Sequence, residues 1–492
     1  MREPPVVGVV FGYLYSAVNY ALALIYVIVL TRYIPLTQYG YYNTLMAMIG
    51  MIGLFFPTLG VDAAIAREGA MLHSRGLGID DHYAALLTIS LTVSTLYATA
   101  LIIAIPLYLV SRMPSEYMGL VFIYAAYVAI AGINGALSAY LWMMGRLASQ
   151  GIGGIVGNIV FRGIEIALLV LLRSVYAIVI GMVIGQLVTL IYYLAIVKRL
   201  VNPGRGVALI RRGFRGYLSL GIQNWLLSYL SSVSGYAITY VIYSFIGTTY
   251  VALYSLAGYI LGAITALGGA VTNVFGSRVA HALGSGLTDR HHLIRDYTVA
   301  AISVSGVLAT GAILAAPLLP LLGIIHGDYV ETIPYGIALF GTAVLGSVNS
   351  IYSTYYWVSG RGWIALEVSS VGIAVNVVIA LALLIVDRGL GLYSVIIATY
   401  LGSLAPLIMY LLMDGNPQIS DIVVNTTTYL LLSIAGALPY LLMANSWPLY
   451  QLIVFLVTIL VTYIMRPIPR SVINQLPGFV KPLLTPFIET GE

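Results

Sequence analysis

Long apolar runs recur along almost the whole chain, and they set the strongest limit on what it can fold into. Many are about 20 residues long, the length that an α-helix needs to cross the roughly 30 Å hydrocarbon core of a bilayer. Charged residues make up only 8% of the sequence, whereas a soluble domain has about 25%. The sequence therefore predicts an all-α polytopic membrane protein with little mass in water.

Fourteen transmembrane helices are predicted from these runs. The first run is too long for a signal-peptide core, so we expect it to be retained as a spanning helix. The predicted spans are residues 7–30, 41–64, 83–110, 118–143, 152–172, 175–197, 217–245, 250–276, 298–322, 333–358, 364–386, 390–412, 425–444 and 448–465.

Two related segments indicate an internal duplication. The segment Tyr140-Leu-Trp142-Met-Met-Gly145-Arg146 has the same Tyr-x-Trp-x-x-Gly-Arg pattern as Tyr355-Tyr-Trp357-Val-Ser-Gly360-Arg361. The first segment lies at the end of predicted helix 4. The second lies at the end of predicted helix 10, which is the fourth helix of the second half. Because six helices return the chain to the same side, the two copies should be parallel repeats, as in many transporters.

The repeat and the basic residues define the predicted domain organisation. Most of the 22 Lys and Arg residues fall in loops on one side, which places both termini in the cytoplasm of a multi-pass plasma-membrane protein. The predicted parts are an N-terminal six-helix lobe (1–200), a basic cytoplasmic linker (201–216), a C-terminal six-helix lobe (217–413), helices 13 and 14 (414–466) and a cytoplasmic tail (467–492).

Three polar residues in the fifth predicted helix form the main candidate site. Asn158, Arg162 and Glu165 follow i, i+4, i+7 spacing, so they share one helix face. A charge at mid-span costs about 2.5–3.5 kcal/mol on insertion scales, which favours a position facing a partner or a water-filled cavity. One interpretation is an anion-binding arginine tuned by a nearby acid. The alternative is a structural Arg–Glu pair that neutralises itself.

Other polar residues within spans are weaker candidates. Four asparagines could line an aqueous cavity that binds hydroxyl-rich cargo, or they could make ordinary interhelical hydrogen bonds worth about 0.6 kcal/mol each. These are Asn19, Asn43, Asn224 and Asn273. Asp62 and Arg67 could gate the cytoplasmic mouth or anchor a helix end, and Glu367 could be a proton site or part of a local ion pair.

Several classes of function lack support in the sequence. The chain has no cysteine, and its six histidines lack metal-ligand spacing, so neither a metal nor another cofactor is expected. The basic residues are spread over short loops, which argues against a nucleic-acid partner. No nucleotide-binding or nucleophile motif is found, so we expect a protein that is not an enzyme.

The chain resembles the polysaccharide-transport family of lipid-linked oligosaccharide flippases, within the multidrug/oligosaccharidyl-lipid/polysaccharide exporter superfamily. The similar segments are Arg32-Tyr-Ile-Pro-Leu-Thr-Gln-Tyr39-Gly40-Tyr-Tyr, Leu59-Gly-Val-Asp-Ala-Ala-Ile-Ala-Arg67 and Ile246-Gly-Thr-Thr-Tyr-Val-Ala-Leu-Tyr254-Ser-Leu-Ala257. The six-plus-six-plus-two helix arrangement matches as well. The family often has an acidic residue late in helix 7, where this chain has Tyr236-Ala-Ile-Thr239.

The resemblance implies a transporter that works by alternating access around a central cavity. Its cargo would be a polyprenyl- or dolichyl-phosphate or pyrophosphate sugar, flipped from the cytoplasmic to the outer leaflet. Arg162 is then the best candidate for the phosphate contact. The implied partners are the lipid-linked saccharide and membrane lipid, with glycan-assembly enzymes as further candidates.

Two other functions compete with this interpretation. A cation-coupled multidrug exporter of the same superfamily usually needs a carboxylate on helix 1, and this helix has none between Val6 and Leu30. A membrane-embedded glycosyltransferase or ligase would usually have a large extramembrane loop with paired acids. The longest loop predicted here is short and basic.

Overall fold

The computed structural model describes residues 22–23, 25–109, 114–198, 201–262, 265, 275, 290–414, 418–443, 448–467 and 485–487. Seventeen α-helical segments lie within these ranges. They are α1 (25–33), α2 (Leu36–Gly53), α3 (Val61–Ser74), α4 (Asp80–Leu109), α5 (Met118–Met143), α6 (Leu147–Leu172), α7 (Tyr176–Val197), α8 (Pro203–Phe245), α9 (248–262), α10 (Arg290–Ala315), α11 (Leu318–Leu321), α12 (Thr332–Phe340), α13 (Thr342–Val358), α14 (Gly362–Val386), α15 (Leu392–Asp414), α16 (Ile419–Met443) and α17 (Pro448–Met465).

The helices have the length and composition of membrane spans. Eight in the described ranges are long and apolar enough to cross a bilayer, or nine if the pair bent by 46° at Gly341 is one span. Their outer surfaces are apolar: Leu107 is 78% exposed, Val386 84% and Leu412 81%. Such side chains are stable on the surface only if lipid covers them. The predicted class, an all-α polytopic membrane protein, is confirmed.

The chain forms two compact units. The N-terminal unit comprises Met1–Tyr236 with Ile324–Gly327, and the C-terminal unit comprises the remaining residues. The division falls inside α8, between Tyr236 and Ala237.

Stacked tyrosines contribute to the core of each unit. In the N-terminal unit the rings of Tyr83 and Tyr140 stack with centroids 4.2 Å apart, inside an apolar cluster from α3, α4, α5 and α7. In the C-terminal unit Tyr410 stacks between Tyr352 and Tyr356, at 5.3 and 5.7 Å. The additional helices α16 and α17 pack on α10 within this unit. The abundance of tyrosine (39 residues) is therefore partly explained by core packing.

The repeated segments have the same local structure in both units. Gly145 and Gly360 have φ angles of 69° and 77°, a left-handed conformation that glycine adopts without steric cost. The amide of the following arginine donates to a carbonyl five residues earlier, Arg146 to Leu141 (2.9 Å) and Arg361 to Tyr356 (2.8 Å). The next helix begins directly afterwards. The duplicated pattern therefore specifies a tight turn between two antiparallel helices.

Two of the differences from the predicted spans lie in the N-terminal unit. The span predicted at 41–64 is interrupted: α2 ends at Gly53 and α3 begins at Val61, after Gly60 with a φ of 71°. The backbones of Gly60 and Gly221 approach so closely there that a Cβ on either would overlap the other's carbonyl group. Proline at position 57 cannot donate a helical hydrogen bond, which is the physical reason for the break.

The second difference is the start of α8. This helix begins at Pro203 rather than at residue 217, so most of the predicted linker (201–216) is helical. Asn202 Oδ1 accepts a hydrogen bond from the amide of Gly204 (2.9 Å), which makes Asn202 the N-cap and Pro203 the first helical residue. The basic residues of this segment predict only that it is in contact with water. The surface of a helix can meet that requirement as well as a loop can.

Candidate functional site

Arg162 and Glu165 form a buried ion pair on α6 in the N-terminal unit. Arg162 Nη1 lies 2.6 Å from Glu165 Oε2, and the side chains are 14% and 0% exposed. The i, i+3 spacing on one helix turn brings the two groups together, as the sequence predicted. Since the pair is neutral overall, it can reside inside a membrane protein at a smaller cost than either charge alone.

Aromatic rings surround the guanidinium group. Its Cζ atom lies 4.7 Å from the ring centroid of Tyr26 on α1 and 4.6 Å from that of Phe161. Cation–π contacts of this kind are worth about 0.5–2 kcal/mol. The arginine is thus held by its acid partner, by the ring of Phe161 on the same helix and by the ring of Tyr26 from α1.

Glu165 is packed against α7. A Cβ on Gly181 would lie 3.0 Å from the Cβ of Glu165, so this glycine permits the close approach of α6 and α7. In the described part of the chain, Glu165 Oε1 has no hydrogen-bond partner. One carboxylate oxygen therefore binds Arg162 and the other has an unused acceptor capacity.

A cavity of about 390 Å³ lies between α5, α6 and α7. Asn158 and Phe161 from α6 line it, together with Asn134 and Tyr127 from α5 and Gln186 from α7. Asn134 Nδ2 donates to the backbone oxygen (2.8 Å) and to Oε1 (2.6 Å) of Gln186. The predicted site residue Asn158 thus faces a polar cavity within the membrane-spanning part of the unit.

A second cavity of about 410 Å³ lies between α3, α4 and α5. It is lined by the predicted gating residue Asp62 and by Tyr97, Tyr124 and Tyr127. Thr58 Oγ1 donates to Asp62 Oδ1 (2.8 Å), which holds the carboxylate in the first turn of α3. Three residues of α5 line both cavities: Tyr127, Ala131 and Gly135.

The other predicted site residues are dispersed or lie outside the described parts. Asn43 Nδ2 donates to Tyr39 O within α2 (2.8 Å), which is an ordinary intrahelical bond. Arg67 is exposed five residues after Asp62, and Glu367 is exposed near the start of α14 in the C-terminal unit. Asn19 and Asn273 lie outside the described residues, as does the side chain of Asn224.

Sequence reasoning missed Asn134 and Gln186. Each is a lone amide in a long apolar helix, and that is the signal that could have identified them. In the part of the chain that the structure describes, no three metal-ligating side chains come together.

Comparison with known protein families establishes the family to which this chain belongs. A family model described as "Polysaccharide biosynthesis protein" matches residues 8–279, more than half of the chain. The chain belongs to this polysaccharide biosynthesis protein family. No curated protein matches the sequence significantly.

Solved structures agree with this assignment at the level of the fold. The Lipid II flippase MurJ in an inward closed conformation has a TM-score of 0.69 at 14% sequence identity, over 93% of this chain and 97% of that one. An inward-facing MATE multidrug resistance transporter of the MOP superfamily has a TM-score of 0.60 at 16% identity, over 83% and 95%. A MOP superfamily transporter from Pyrococcus furiosus has a TM-score of 0.54 at 18% identity, over 85% and 94%.

These findings confirm the predicted relationship. The chain is a multi-span membrane protein of this family, and its fold is similar to those of the solved MurJ flippase and MATE transporter.

Proposed function

We propose that this transporter flips a lipid-linked saccharide from the cytoplasmic to the outer leaflet by alternating access. The observation that supports this most directly is a buried cationic group, Arg162, one helical turn after Asn158, which lines a cavity with neutral polar walls. A phosphate or pyrophosphate needs a cation, and a sugar needs hydrogen-bonding groups without charge. Family membership and the fold of MurJ, itself a lipid II flippase, support the same proposal.

In this proposal Arg162 binds the phosphate group and Asn158 contacts the adjacent sugar. Glu165 neutralises Arg162 when no cargo is bound. Arginine suits the role because its planar guanidinium binds a phosphate through two parallel hydrogen bonds. Asp62 and Arg67 gate the cytoplasmic mouth, and Glu367 is a proton site.

The test is reconstitution into liposomes with a fluorescent lipid-linked oligosaccharide. We expect leaflet transfer by the wild type, and transfer no faster than in protein-free vesicles would overturn the proposal. Arg162→Gln alone leaves Glu165 buried without a partner, so the informative variant is the double change Arg162→Gln with Glu165→Gln. This neutral variant should fold and fail to transfer. Wild-type transfer by it would refute the role of Arg162.

A second candidate is export of an organic cation. The cavity with one carboxylate, Asp62, and three tyrosine rings has the chemistry that binds such a molecule. The fold of the MATE transporter is compatible with it. A fluorescent cationic drug in the same liposomes distinguishes the two: drug movement without oligosaccharide transfer would favour this candidate.

A further inference from the structure

The cavity between α5, α6 and α7 is uncharged. Among the described residues that line it there is no carboxylate, lysine, arginine or histidine. Its polar groups are side-chain amides and hydroxyls, and its apolar surface includes aromatic rings. Its volume of about 390 Å³ lies in the range of small-molecule sites.

Asn134 lines this cavity and has a buried acceptor without a partner among the described residues. The side chain is only 5% exposed, and the backbone oxygen of Gln186 can only accept hydrogen bonds, so the amide nitrogen of Asn134 must point toward it. Asn134 Oδ1 is therefore directed away from Gln186, and it has no donor in the described part of the chain. A buried acceptor left unpaired costs about 1–3 kcal/mol.

Glycines keep the space open. A Cβ on Gly135 or on Gly154 would have no atom within 4 Å, although both residues line the cavity. A glycine in a helix costs about 1 kcal/mol relative to alanine, and no close packing at these two positions offsets that cost. Empty volume bounded by such glycines is suited to an occupant.

The cavity adjoins the ion pair. Phe161 lines the cavity, and its ring also stacks on the guanidinium of Arg162 at 4.6 Å. Asn158 lies one helical turn before Arg162 and lines the same cavity. A cargo whose phosphate is at Arg162 would therefore place its first sugar at the mouth of this cavity.

We propose that the α5–α6–α7 cavity is a sugar-ring subsite that selects an uncharged sugar with hydroxyl or acetamido donors. The amide and hydroxyl groups that line the cavity bond to the sugar, and the rings of Tyr127 and Phe161 contact its C–H faces. A sugar with a carboxylate is rejected, because the cavity offers no cation to replace the water that the carboxylate loses. The assignment of the ring as the first sugar of the cargo rests on the proposed function.

The experiment uses Gly154→Val and Gly135→Val, which add side-chain volume to the cavity at two positions where a Cβ would meet no atom within 4 Å. Gly163→Val is the matched control, since Gly163 is exposed on α6 and a Cβ there also meets no atom within 4 Å. Binding of a methyl N-acetylhexosaminide and a methyl hexuronide to the purified protein is measured by saturation-transfer NMR. The wild type and Gly163→Val should bind the neutral glycoside alone, and the two filling variants should bind it about tenfold more weakly, the effect of losing about 1.4 kcal/mol.

Three results would overturn the subsite: no binding to the wild type, equal binding of the hexuronide, or binding to Gly154→Val that matches Gly163→Val. Transfer of lipid-linked oligosaccharide is measured on the same variants in liposomes. If the glycoside results hold but the wild type transfers nothing, the sugar site stands and the flippase proposal fails.

Discussion

Breaking the Arg162–Glu165 pair should destabilise the protein in two distinct ways. Glu165 is fully buried and Arg162 is 14% exposed, so removal of either partner leaves a charge in a poorly solvated place. A carboxylate can escape by taking up a proton, whereas arginine stays protonated at all relevant pH values. The two single substitutions should therefore differ in their dependence on pH.

The magnitudes follow from this difference. In Arg162→Gln, protonating Glu165 costs about 1.4 kcal/mol per pH unit above about 4.3, the pKa of a solvated glutamate. The loss of stability is then about 1 kcal/mol at pH 5 and about 4 kcal/mol at pH 7. In Glu165→Gln, the stranded guanidinium should cost about 3–5 kcal/mol across this range, reduced by its contacts with Tyr26 and Phe161. The double variant should recover most of the loss.

The assay is unfolding in detergent, followed by circular dichroism at pH 5, 6 and 7. Arg173→Gln is the control, because Arg173 is exposed at the end of the same helix. Stability of Arg162→Gln should fall as the pH rises, while that of Glu165→Gln should stay low and flat. A pH-independent Arg162→Gln variant, or a double variant less stable than both single ones, would refute the reasoning.

Three further predictions concern other parts of the molecule. Gly221→Ala should reduce the free energy of unfolding by about 1–3 kcal/mol, because its Cβ would overlap Gly60. The control Gly216→Ala, where a Cβ would meet nothing within 4 Å, should have no effect on stability. Equal yields of folded protein for the two variants in size-exclusion chromatography would contradict this prediction. Gly145→Ala and Gly360→Ala should each cost about 1–2 kcal/mol in thermal unfolding, since both positions have positive φ, and a cost at only one would argue against equivalent turns. Asp62→Asn keeps the acceptor for Thr58 and should unfold like the wild type, yet transfer in liposomes should drop; full transfer would assign Asp62 to helix anchoring.

Helical periodicity was sufficient to predict the contacts that occur within one helix. Asn158, Arg162 and Glu165 share a face because of their spacing, and the ion pair follows from that alone. The repeated Tyr-x-Trp-x-x-Gly-Arg pattern likewise specifies its own turn, since each glycine follows the end of its helix and adopts a left-handed conformation.

Contacts between different helices could not be predicted from helical periodicity. The pairing of Asn134 with Gln186 depends on how α5 and α7 pack, which hydropathy does not encode. The break after Gly53 was hidden because Leu54, Phe55 and Phe56 are apolar and continue the hydrophobic run. The cavity depends on how three helices pack together. In the sequence alone, the glycines that line it could not be distinguished from glycines that allow close helix packing.

The neutrality of the Arg162–Glu165 pair has a consequence for the energetics of a transport cycle. Moving one elementary charge through the membrane potential changes its energy by about 2.3 kcal/mol per 100 mV. A pair with no net charge can change its exposure from one side to the other without doing electrical work. At this site, voltage would act on the step that moves an anionic cargo and would leave the return of the empty carrier unaffected.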